Sequence, residues 1–147
     1  MVTFFDELIS YTASVKPNNQ AIIYKQQSLS YAQLDKQTSE IALGLSGLGL
    51  QRNERVAVFL PKLPVAVMCM FAATRANGTF VPINSVLKAL QVQHILNDCN
   101  VKVLVTSSDR LKALSSIINQ CPDLKHVVLI DKLPAKAEIT EIDAQLS

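Results

Sequence analysis

Apolar positions in the first part of the chain change their spacing from helical to alternating and back, and each change marks an element. Phe4, Phe5, Leu8, Ile9, Thr12 and Val15 recur at helical spacing, which predicts an amphipathic helix over Thr3 to Val15. Lys16-Pro17-Asn18-Asn19 breaks it. Ala21 to Lys25 and Ser28 to Tyr31 then read as a short antiparallel hairpin around Gln26-Gln27, although two glutamines are not a favoured hairpin turn. Ser30 with Gln33 has capping-box spacing, so a long helix is expected from about Tyr31, its core stripe formed by Leu34, Ile41, Leu45 and Leu48. Gly49 follows as the residue able to take the left-handed conformation that ends a helix.

Beyond Gln51-Arg52-Asn53-Glu54 the pattern becomes a regular alternation of apolar runs and helical periods. It predicts strand Arg55 to Leu60, helix Pro64 to Ala76, strand Thr79 to Pro82, helix Leu87 to Cys99, strand Val101 to Val105, helix Ser108 to Cys121 and strand His126 to Ile130. Strands separated by helices pair in parallel, and the nearly continuous apolar runs VAVFL, VKVLV and HVVLI are those of strands covered on both faces. The expected fold class is therefore α/β: a doubly wound, mainly parallel sheet with flanking helices and an N-terminal antiparallel hairpin. From Asp131 the sequence turns polar, so residues 1–131 read as one α/β unit and 132–147 as a polar linker or tail that adds no strand.

Composition changes this picture little. Nearly half of the 147 residues are apolar, enough to bury a core without disulfides or metal. Fourteen basic against twelve acidic residues leave a formal charge of +2 with no basic stripe, which argues against nucleic acid as a partner. Cys69, Cys99 and Cys121 are odd in number and widely spaced, as reduced, buried thiols would be. Asp6 and Glu7 interrupt what a signal peptide would need as an apolar core, so a cytoplasmic chain is expected. The longest apolar run, Leu63 to Ala73, is well short of the roughly 20 residues of a membrane-spanning helix.

Ligands of open parallel sheets bind beyond the carboxyl ends of the strands, which here are Pro61-Lys62, Ile83-Asn84-Ser85, Thr106 to Asp109 and Asp131-Lys132. None of these forms a recognisable catalytic set. Thr106 to Asp109 has hydroxyls and amides suited to an anion at a helix start, but serine and aspartate are also ordinary helix caps. His94 and His126 read as structural or surface histidines without a second ligand at metal-binding spacing, and Lys62 and Lys88 as solvated loop lysines. Gly44, Gly47 and Gly49 occur as G-x-x-G-x-G at the end of a helix, whereas a phosphate loop joins a strand to a helix start. No catalytic, cofactor-binding or metal-binding residue is assigned.

The order LSYAQL (29–34), ERVAVFLPKLPVAV (54–67) and ATRANGTFVPIN (73–84) resembles the superfamily of AMP-forming acyl-CoA synthetases and adenylation domains, from about Ala21 to Ile130. More narrowly, residues 84–111 resemble acyl-CoA ligases associated with exosortase and exopolysaccharide gene clusters in bacteria. The chain departs from the family at Arg75-Ala76-Asn77, where lysine-alanine-glycine is usual, and at Ser85, where proline is common. Asn77 tolerates a left-handed backbone nearly as glycine does.

The resemblance implies an N-terminal part of an enzyme that joins a carboxylate to the α-phosphate of ATP, releases pyrophosphate, and passes the acyl group to coenzyme A. It implies ATP, Mg2+ and CoA as the whole enzyme's cofactors and a carboxylic acid as its substrate. The family's phosphate loop, adenine segment and mobile C-terminal lysine have no counterpart in these residues, so this chain alone is expected to be inactive. Two other readings stand beside it: a short binding or scaffold module of the same fold, and an adenylating enzyme that loads a carrier protein. An apolar face left where the remainder docks is expected to drive self-association.

Overall fold

The computed structural model describes residues 3–131 and 138–141. Its elements are α1 (Glu7–Val15), β1 (Gln20–Tyr24), β2 (Gln27–Ser30), α2 (Tyr31–Gly47), β3 (Arg55–Val58), α3 (Pro64–Arg75) and β4 (Thr79–Pro82). They continue with α4 (Ala89–Asp98), β5 (Val101–Thr106), α5 (Ser108–Ala113), a 3-10 turn (Ile118–Gln120), β6 (His126–Leu129) and β7 (Glu138–Glu141).

The main sheet has the order β4-β3-β5-β6-β7. Its first four strands are parallel in the register Val58 beside Pro82 and Val105, and Val105 beside Val128. The predicted α/β architecture is therefore present. Successive side chains of a strand point to opposite faces. Ala57, Leu104 and Val127 accordingly pack under Leu96, Leu114, Ile117 and Ile118 on one side of the sheet. Val56, Val58, Val103, Val105 and Val128 pack under Ala42, Leu45, Cys69, Ala72 and Ala73 on the other. Helices thus cover both faces, which is why these strands read as uninterrupted apolar runs.

Four differences from the sequence reading have local causes. Helix α1 begins at Glu7 rather than Thr3, because the Glu7 carboxylate accepts the N–H groups of Thr3 and Phe4 and holds them in a turn ahead of the helix. The hairpin turns on Lys25-Gln26, one residue before the expected pair, with Lys25 at φ 53°. The single helix expected over Ser108 to Cys121 is instead α5, a run of turns and the 3-10 turn. Ser115-Ser116 and the β-branched Ile117-Ile118 are weak helix formers, and breaking the helix there lets Leu114, Ile117, Ile118 and Cys121 all reach the sheet.

The fourth difference is β7. Residues after Ile130 do add a strand, antiparallel to β6 with Glu138 opposite Leu129 and Glu141 opposite His126. Glu138-Ile139-Thr140-Glu141 holds a single apolar residue, so a reading based on long apolar runs passes over it. The rest of the expected polar tail, including Lys132 and Pro134, lies outside the described residues.

Candidate functional site

Strand β4 lies on one side of β3 while β5 and β6 lie on the other, so the order of strand addition reverses between β3 and β5. The crevice beyond the carboxyl ends at such a reversal is where open α/β sheets bind ligands. Here the chain's own side chains make contacts across it. The Thr106 hydroxyl, fully buried, donates to the Phe59 carbonyl at 2.8 Å and ties the two strand ends together. Arg110 of α5 lies over the Phe59 ring with its guanidinium carbon 4.8 Å from the centroid, and donates to the Ser85 carbonyl at 2.6 Å. The loop after β4 is thereby fastened across the reversal point, a role for Arg110 that its place in an unremarkable polar stretch did not signal.

The expected anion-type start at Ser107-Ser108 already has a carboxylate on it. Asp131, at the end of β6, accepts the Ser108 N–H at 3.0 and 3.1 Å and the Ser108 hydroxyl at 3.1 Å. A second anion there would meet the charge of Asp131. Ser107 makes no side-chain cap, so of the two readings for this stretch the capping one holds in altered form, with the cap supplied from across the sheet.

The other candidates stay apart. Lys62 and Lys88 are exposed. His126 is half-buried at the opposite end of the sheet, with its Nδ1 buried and unpartnered. His94 is exposed on α4, and the expectation that it has no ligand neighbour needs correction: Asp98 stands one helical turn on, and both line one surface concavity. Burial pushes the Cys69 thiol up to about 12 and raises that of Cys121. All three cysteines are free, and Cys69 and Cys121 are buried. No helix of the described residues is long and apolar enough to cross a membrane.

The glycines do not make a nucleotide cradle. Gly44 and Gly47 lie within α2, and Gly49, at φ 81°, follows its end. A Cβ at Gly78 would sit 2.9 Å from Leu50 Cδ2 and 3.0 Å from the Glu54 carbonyl, so that glycine serves the chain's own packing. Asn77 at φ 65° makes the left-handed turn beside it, as its sequence allows. Among the described residues no three His, Cys, Asp or Glu side chains gather as a metal site.

Arg75, at the end of α3, gathers several polar partners. It pairs with Asp6 at 3.5 Å and Asp35 at 2.9 Å, and donates to the hydroxyls of Ser39 at 2.7 Å and Ser10 at 2.8 Å. One guanidinium thus joins α1, α2 and α3. Nothing in the spacing of Asp6, Asp35 and Arg75 along the chain marked them as neighbours.

A family model described as AMP-binding enzyme matches residues 9–146. The chain belongs to that family. Among curated relatives of this AMP-binding chain, syringomycin synthase SyrB1 of Pseudomonas syringae pv. syringae is 28% identical over 95% of the chain and 22% of its own length. Human acetyl-coenzyme A synthetase 2-like, mitochondrial, is 25% identical over 88% of the chain and 21% of its own length. The AMP-binding chain thus spans about a fifth of each of these two relatives.

Solved structures agree on the fold. The N-terminal domain of FACL13 from Mycobacterium tuberculosis superposes with a TM-score of 0.82 at 24% identity, over 88% of this chain and 34% of that one. The anthranilate CoA ligase AuaEII, solved with anthranoyl-AMP, also gives 0.82, at 23% identity over 90% of this chain and 26% of that one. These residues accordingly share the fold of the matched parts of those two proteins.

Proposed function

We propose that residues 1–131 form the first α/β layer of an ATP-dependent acid–thiol ligase, with 132–147 leading into its remainder. In this reading the longer protein converts a carboxylic acid, ATP and CoA into acyl-CoA, AMP and pyrophosphate, using Mg2+. The observation that carries it is the family match over residues 9–146 joined to a fold shared with the N-terminal domain of FACL13. This layer supplies wall and core: its strand ends are cross-tied by Thr106, Arg110 and Asp131, so the reacting groups come from elsewhere in the protein. We place the protein in the cytoplasm, where its three free thiols stay reduced.

A carrier-protein acceptor is the second reading, favoured by relatives named as synthases, such as tyrocidine synthase 1 of Brevibacillus parabrevis at 27% identity over 86% of the chain. Mass spectrometry of products separates the two. The longer protein, given ATP, magnesium, a panel of carboxylic acids and either CoA or a phosphopantetheinylated carrier, is expected to form acyl-CoA. Acyl transfer to the carrier alone would establish the second reading, and transfer to neither, without pyrophosphate release, would favour a non-catalytic scaffold module.

A further inference from the structure

We propose that the last two turns of α4 form a low-affinity site for a divalent transition-metal ion, held by the His94 imidazole and the Asp98 carboxylate. Residues four apart on a helix are surface neighbours with Cβ atoms about 5–6 Å apart, a span that one ion bonded to both side chains closes. Imidazole nitrogen and carboxylate oxygen suit zinc-like ions, at about 2.0–2.2 Å each. Both side chains are exposed and line the same concavity with Leu90, Gln93 and Asn97.

The surroundings are set for a cation. The Gln93 amide nitrogen donates to Gln120 Oε1 at 3.1 Å and the Asn97 amide nitrogen to the Gln120 carbonyl at 3.2 Å, so both amide donors are engaged away from His94 and Asp98. Helix α4 ends at Asp98, where its last carbonyls add partial negative charge. Two strong ligands, with water completing the shell, make a weak site rather than a closed structural one. Magnesium, which prefers an all-oxygen octahedron, is a poor occupant beside imidazole. The proposal is independent of the ligase reading.

Zinc chloride alone, titrated calorimetrically into the chain and followed by thermal melting, tests it. Zinc is expected to bind and raise the melting temperature of the wild type and of Cys99→Ser. His94→Ala and Asp98→Asn are each expected to weaken binding by at least about tenfold, by analogy with the loss seen when even an outer-shell partner of a metal site is removed. Magnesium chloride should leave the melt unmoved. Circular dichroism establishes that the variants fold, which exposed substitutions on α4 permit. Absence of zinc binding by the wild type, or undiminished binding by His94→Ala, would overturn the proposal.

Discussion

A few single residues explain more of this chain than its loops do. Gly78 is the clearest, since a methyl group there would be forced against the carbonyls of Glu54 and Ala73. Gly78→Ala should cost about 1–3 kcal/mol, the usual range for overpacking, in urea unfolding. Thr38 is fully buried in α2 and its hydroxyl has no partner. Thr38→Val keeps the shape and removes the unsatisfied group, so the same assay should show a gain of about 1 kcal/mol. Asn77, Gly49 and the Ser30/Gln33 pair were legible in advance because backbone handedness and capping depend on residues close in sequence. The Arg75 cluster was not, because Asp6, Asp35 and Arg75 meet only after three helices have packed.

At the scale of elements, α2 offers a test of what its glycines are for. The capping box at its start is formed, with Gln33 N–H to Ser30 Oγ at 3.2 Å and Ser30 N–H to Gln33 Oε1 at 2.9 Å. Nothing lies within 4 Å of a Cβ built on Gly44. Gly44→Ala should therefore stabilise the chain by about 0.5–1 kcal/mol through helix propensity, measured by thermal unfolding. Alternation of strand and helix was legible because each element buries a periodic apolar set. Strand β7 escaped because it is a short edge strand with one apolar residue, and the break after α5 escaped because burial of Leu114 and Ile117 overrides continuous helical spacing.

The turn between β5 and its neighbours carries an acid-sensitive contact. Hydrogen bonds from Asn100 and then Lys102, with the positive charges of Lys102 and Arg55, hold the Asp123 carboxyl below its ordinary value of 3.8. A carboxylate whose pKa is lower in the folded state favours folding above the unfolded value, and that contribution disappears as pH falls through the folded value. Acid titration should show the loss below about pH 3.8 in the wild type and its absence in Asp123→Asn.

For the whole molecule, the guanidinium of Arg75 is the fastener of the N-terminal helix, because Ile9 is the one buried side chain of α1. Arg75→Ala should speed amide exchange throughout α1 and cost about 1–3 kcal/mol, with Arg75→Lys restoring only part, since an ammonium cannot serve four partners from one plane. Phe4 ahead of α1 and Leu8, Tyr11 and Val15 on it remain exposed, as do Leu43 on α2 and Leu90 on α4. The isolated chain is therefore proposed to self-associate through apolar surface, visible as a concentration-dependent mass in sedimentation equilibrium. Of the strand-end contacts, neither the Thr106 tie to Phe59 nor the Arg110 tie to Ser85 was legible in the sequence, because each joins residues at least 25 positions apart.

Carboxylate-dependent exchange of labelled pyrophosphate into ATP, run side by side on the longer protein and on residues 1–147, tests the central claim most directly. Exchange by the longer protein and none by the 147-residue chain is the predicted result. Exchange by the chain alone would mean that a nucleotide site exists among residues assigned here to wall and core.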